Sequence, residues 1–174
     1  MPTESQLVDP LCDWLRREHG ADVPMLIHEE VRGRGGRRPD LLVVVSSAEC
    51  TSINDVTLIS VEIENSSHGA IHDPRNGLRQ LGKYPAHLKY LAIPRTVAMH
   101  EAAKEIPDRC ARWKAGLLVV EHASGDVRCE VTPVLQSAAR TLRAYPVAMR
   151  RWIALRESSD VFRRISGGRI VERE

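Results

Sequence analysis

The segment Leu58-Ile59-Ser60-Val61-Glu62-Ile63-Glu64 alternates apolar and polar residues and reads as a β-strand. Period two places Ile59, Val61 and Ile63 on one face and Ser60, Glu62 and Glu64 on the other. Adjacent carboxylates on one face repel each other and resist desolvation. A half-exposed strand would solve this by turning that face to water. The other reading is a site, and a third acid supports it. Asp40 stands immediately before Leu41-Leu42-Val43-Val44-Val45, an apolar, β-branched run expected to be a buried strand. If the two strands are neighbours, Asp40 can approach Glu62 at one end of the sheet.

Converging carboxylates suit a hard divalent cation. Mg²⁺ takes oxygen ligands, usually a couple of carboxylates with water and substrate phosphate completing the shell. The cation offsets the repulsion, deprotonates a water and stabilises charge on a phosphoryl oxygen. The turn Arg32-Gly33-Arg34-Gly35-Gly36-Arg37-Arg38, just before Asp40, offers backbone amides and guanidinium groups to phosphate. Together these features point to phosphodiester chemistry.

The remaining elements are read from periodicity and punctuation. Leu7, Leu11 and Trp14-Leu15 recur at helical spacing, predicting a helix over about Thr3–Arg17 with Gly20 as its stop. Strands are expected at Met25–Val31, Leu41–Val45 and Val56–Glu64, forming an antiparallel meander. A helix over roughly Pro74–Tyr84 comes next, with Asp73 as its cap, and then a strand at Tyr90–Ile93 ended by Pro94. Residues 96–106 look helical, closed by Pro107, and Gly116–Val120 and Val127–Val131 make two more strands around a turn at Ser124–Asp126. Helical spacing resumes around Leu135, Ala139 and Leu142, breaks at Pro146 and returns at Trp152, Ile153 and Leu155. This order predicts one α/β (α+β) domain with a mixed sheet.

Pro39-Asp40, then Glu62-Ile63-Glu64, then Gln80 resembles the PD-(D/E)XK nuclease superfamily. The resemblance implies a restriction-endonuclease-like core of helix, three antiparallel strands, helix and strand over about residues 3–94. Residues 95–174 would form a C-terminal extension, basic after residue 140. It implies Asp40 and Glu62 as ligands of Mg²⁺ or Mn²⁺, with Glu30 as the upstream acid and Glu29 and Glu18 behind it. Gln80 takes the place of a supporting helix glutamine. The chain departs from the family at the lysine, which is Glu64 here, and a carboxylate cannot supply positive charge. Three readings stand: Glu64 acts as general base or second-metal ligand; the lysine has migrated to Lys83, three residues after Gln80; or the domain has lost cleavage and kept binding.

The whole is expected to be a metal-dependent DNA endonuclease serving restriction or defence, repair or recombination. The alternative is an inactive nuclease-fold module that binds nucleic acid or a protein partner. Arg34, Arg37 and Arg38 would contact phosphate, and His68 would contact DNA from a loop beside the site. His68 and His72 are four apart, but Gly69 and polar neighbours make a loop rather than a helical metal pair. Nine arginines against four acids from Arg140 to Glu174 leave that segment with a surplus of five positive charges, although the net charge of the 174-residue chain is only +2. Such a tail fits a polyanion, and one Phe and three Tyr provide little aromatic surface for stacking single strands, which favours duplex DNA. A double-strand cut would call for two active sites, supplied by a homodimer with twofold symmetry. The same aromatic poverty disfavours a sugar-cleaving carboxylate pair. No Gly-x-Ser-x-Gly elbow or Gly-Lys-Ser/Thr phosphate loop is present. No apolar run approaches the roughly 18–20 residues of a membrane span. Met1–Ser5 lacks a secretory pattern, and no two of the four cysteines form a close pair, so a cytoplasmic protein with free thiols is expected.

Overall fold

Seven strands form one mixed sheet in the order β6-β5-β4-β3-β2-β1-β7 in the computed structural model, which describes residues 2–19, 23–30, 33, 38–46, 56–66, 77–137, 142–157 and 171–172. The strands are β1 (Met25–Glu29), β2 (Leu41–Ser46), β3 (Val56–Ile63), β4 (Leu88–Pro94), β5 (Gly116–Glu121), β6 (Asp126–Val131) and the two-residue β7 (Val171–Glu172). The first three pair antiparallel, with Ile27 opposite Val43 and Leu41 opposite Val61. β4 then joins β3 in parallel and β5 joins β4 in parallel, while β6 closes that edge antiparallel. Parallel neighbours need crossovers. Helix α2 (Leu78–Lys83) lies in the first, and α3 (Arg95–Ala98), a 3₁₀ turn (Glu101–Ala103) and α4 (Ile106–Arg112) lie in the second.

Each face of the sheet is buried by a different set of helices. Helix α1 (Ser5–His19) lays Leu7, Leu11, Trp14 and Leu15 onto Leu41, Val43, Ile59, Val61 and Ile63. On the other face, α2, α3 and α4 cover Leu91, Ile93 and Leu117. Ala148 and Trp152 of α5 (Pro146–Glu157) meet Leu42, Val44 and Leu58 there. Coverage on both faces explains why the central strands are almost uninterrupted apolar runs rather than alternating ones. No helix among the described residues is long and apolar enough to cross a membrane.

Several elements depart from the sequence expectation. Pro107 opens a helix instead of closing one: it lies in the first turn of α4, where its missing N–H leaves no helical bond unmade. Pro146 likewise begins α5. The expected helix over 96–106 is divided into α3 and the 3₁₀ turn, which starts after His100, whose Nδ1 accepts from the Ala102 N–H. Residues 132–137 are not helical, and Leu135 is 69% exposed instead of lying on an inward face. Helix α2 starts at Leu78 after Gly77 at φ 60°, a left-handed conformation that glycine adopts without strain. Asp73 and Pro74, assigned to its cap and first turn, lie outside the described residues.

Candidate functional site

Strand register brings the acids together. Leu41 pairs with Val61, so the next step of the same ladder sets Asp40 opposite Glu62. The bond that closes this end is specific: the Ile63 N–H donates to Asp40 Oδ2 at 2.7 Å. Glu62 is 5% exposed and Glu64 6%, which rules out a water-facing strand as the explanation of the alternating pattern. The face that holds Ser60 and Glu62 is the one covered by α2.

Electrostatics follow from this burial. The carboxyl of Glu62 is pushed up to about 9, first by desolvation and next by the negative charge of Asp40. The Tyr84 phenol beside it pulls the other way, while Glu64 and Glu4 add further repulsion. Asp40 rises to about 6, again chiefly through burial, with the Ile63 N–H holding it back and Glu4 and Glu30 raising it. Asp40 therefore ionises first, and Glu62 retains its proton at neutral pH unless a cation displaces it.

Helix α2 supports Glu62 through a residue the sequence reading passed over. Tyr84, one helical turn after Gln80, donates its hydroxyl to Gln80 Oε1 at 2.7 Å and lies 3.1 Å from the Arg38 carbonyl oxygen. One phenol proton cannot also serve Glu62. A protonated Glu62 can instead donate to the phenol oxygen, and both bonds then form together. Burial and the neighbouring Glu62 push the Tyr84 pKa well up, so the phenol stays protonated. Behind it, the ring of Tyr145 lies 3.0 Å from where a Cβ on Gly33 would be, so the residue preceding α5 packs against Gly33.

An open cavity of about 360 Å³ lies on the α1 side, lined by Glu4, Ser5, Val8, Glu29, Glu30, Asp40 and Ile63. Three upstream acids border it, the expected Glu30 and Glu29 and, besides them, Glu4. Glu30 does border the cavity, but its exposed carboxylate forms an ion pair with Arg38. Glu4 faces the same space and acts on both Asp40 and Glu62; its own pKa is raised by burial and then by Glu30. The pattern that reveals it is simple: Glu4 stands one helical turn before Val8, a residue packed against the core. Glu18 lies elsewhere, near Tyr90 and Cys129.

The other expected residues have different fates. Gln80 joins the site through Tyr84. Lys83 is exposed on α2 and pairs with no carboxylate among the described residues, so nothing places it at Glu62. Arg38 reaches the cavity rim through Glu30. Arg34, Arg37 and His68 lie outside the described residues.

The donor set suits a small hard cation held by few protein ligands. Among the described residues no three His, Cys, Asp or Glu side chains form a ready metal cage. Mg²⁺ does not need one, since it keeps several waters and takes one or two carboxylates. Glu62 Oε2 is buried without a hydrogen-bond partner among the described residues, an unmet acceptor beside a second carboxylate. A cation held there by Asp40 and Glu62 would satisfy it. The chain matches no protein-family model and no curated protein.

Proposed function

We propose that the chain is a metal-dependent endonuclease that hydrolyses phosphodiester bonds in double-stranded DNA. The observation that carries this reading is the orphaned Glu62 Oε2, buried beside Asp40, whose own side lines the acidic cavity. The order helix, three antiparallel strands, helix and parallel strand supports it further. Asp40 and Glu62 would hold Mg²⁺ or Mn²⁺, with Glu4 and Glu30 bordering the same cavity as Asp40. The ion would supply a water of lowered pKa and neutralise charge on the scissile phosphate. Glu62 would hold the ion in its ionised form, with the Gln80–Tyr84 pair beside its carboxyl. Glu64, in the lysine position, would serve as general base or as a ligand to a second ion. Arg38 exchanges Glu30 for a phosphate oxygen, assisted by Arg34 and Arg37.

A second reading rests on Glu64 itself. Without the lysine's positive charge, the fold would bind nucleic acid or a protein partner without cutting. Cleavage of supercoiled plasmid in Mg²⁺, Mn²⁺ and EDTA, with Asp40→Ala and Glu62→Ala beside the wild type, separates the two. Metal-dependent nicking or linearisation lost in both variants is the expected result. Cleavage that survives both substitutions overturns the site assignment. No cleavage in any metal, with DNA still bound, favours the binding module.

A further inference from the structure

We propose that the free edge of β6 is a self-complementary interface through which two copies of this chain join into one continuous sheet. It goes beyond the nuclease reading and does not depend on it. β6 ends the sheet order, so no strand among the described residues covers its outer side. Asp126, Arg128, Cys129 and Glu130 on it are exposed. An exposed edge is a template for pairing, and proteins commonly guard one with charges or a bulge. β6 has both, yet its charges are arranged in an unusual way for a guard. Arg128 and Glu130 flank Cys129 with opposite signs. A twofold-related antiparallel copy centred on Cys129 puts each Arg128 opposite the partner copy's Glu130, so two attractive pairs form by symmetry.

The irregularity of the strand favours the same register. β5 and β6 pair Leu117 with Val131 and Leu118 with Cys129, which leaves Glu130 as the extra residue of a bulge. Glu130 thus has no opposite number on β5 and is available to the outer side. The ladder then resumes, since the Val134 N–H donates to the Lys114 carbonyl on the same diagonal as the Leu117–Val131 pair. Val134 and Leu135, at 51% and 69% exposed, end this extended stretch. In the twofold register they fall opposite Ser124 and Ala123 in the partner copy's β5–β6 turn, where an apolar contact would shield them. An edge of this length makes a small interface, so a dimer in the micromolar range is expected.

Sedimentation equilibrium on the full chain across micromolar concentrations tests the assignment. The wild type should approach twice the 19.5 kDa chain mass. Arg128→Glu or Glu130→Arg should each weaken the dimer by roughly ten- to hundredfold, because two attractive pairs become repulsive, and the double exchange should restore it. Register is read separately. Opposed residues of antiparallel strands lie about 4.5–5.5 Å apart, within reach of a disulfide. Diamide should therefore oxidise two Cys129 thiols to a disulfide-linked dimer in a Cys50→Ser background, while Cys129→Ser forms none. Cys12 and Cys110 are buried and remain outside this reaction. A monomer at every concentration, or a dimer unaffected by either charge reversal, overturns the proposal. Glu62 on β3 and Asp40 before β2 lie three and four strands away, so both assays leave them untouched.

Discussion

Replacing Glu62 by Gln should stabilise the metal-free protein at neutral and alkaline pH. The folded state holds this carboxyl at about 9 against 4.5 in the open chain. For an acid shifted upward, folding takes up a proton, so its contribution is most favourable below 4.5 and declines as pH rises, levelling off above about 9. Each pH unit in that window removes about 1.4 kcal/mol. The accumulated cost is under about 1 kcal/mol near pH 5 and about 3 kcal/mol at pH 7. Glutamine has the shape of the protonated acid and can donate to the Tyr84 oxygen in its place, so the variant keeps what the neutral form contributes. Urea unfolding in EDTA should show the Glu62→Gln midpoint about 1–2 M above wild type at pH 7, with the two curves converging near pH 5. Adding Mn²⁺ should reverse the order, because only the wild type gains stability from binding. A variant less stable than wild type at pH 8 in EDTA would refute the claim that burial and Asp40 strain this carboxyl.

Cation binding should release protons: calorimetry of Mn²⁺ binding at pH 7 in buffers of different ionisation enthalpy should return close to one proton per ion, and none for Glu62→Gln. Tyr84→Phe removes the hydroxyl that donates to Gln80 Oε1 and lies near the Arg38 carbonyl, so it should cost about 1–3 kcal/mol in urea unfolding and weaken cleavage without abolishing it. Glu4→Gln should lower Mn²⁺ affinity more than Glu30→Gln, since both border the cavity but Glu30 is already paired with Arg38; equal effects in a titration would show that this ion pair does not set the order. Gly116→Ala should destabilise by about 1–3 kcal/mol in the same unfolding assay, because a Cβ there would lie 2.5 Å from the Tyr90 ring and 2.9 Å from Pro133.

The strands of the meander were legible because burial on both faces writes long apolar runs, and Leu41–Val45 and Val56–Ile63 each needed only local reading. Their adjacency, which sets Asp40 against Glu62, was legible as a conditional on short antiparallel connections. Glu4 was harder: its role depends on how α1 lies across the sheet, a long-range fact that only the turn-by-turn relation to Val8 hints at. Glu30 is suggested in sequence by its place shortly before Asp40, while its ion pair with Arg38 at the cavity edge is again tertiary. Tyr84 escaped for a related reason. A tyrosine at the end of an amphipathic helix is usually core, and nothing local tells that its hydroxyl meets a buried carboxyl. Pro107 and Pro146 were read as stops because proline breaks a helix interior. The same missing N–H makes proline a good first-turn residue, and the two cases differ only in whether helical spacing continues on its C-terminal side.

The central strand retains a carboxyl that a leucine or glutamine could replace with a gain in stability. A buried acid with an unmet oxygen, raised by a second acid one strand away, costs the metal-free fold about 3 kcal/mol at neutral pH, a sizeable part of the total for a domain of this size. A module that only docked nucleic acid would need positive charge at this face, and Asp40, Glu62 and Glu64 supply none. A divalent cation that displaced the Glu62 proton would bring it. The carboxylates that weaken the empty fold are thus the groups that would make DNA binding itself dependent on the cation. In the binding-module reading, Mg²⁺ or Mn²⁺ should have little effect on affinity; in the nuclease reading, DNA should bind measurably tighter with Ca²⁺, a non-cleaving substitute, than in EDTA. Fluorescence anisotropy with a short labelled duplex, comparing wild type with Glu62→Gln, distinguishes them. Equal affinity with and without Ca²⁺ in the wild type would remove the physical reason for keeping Asp40 and Glu62 together.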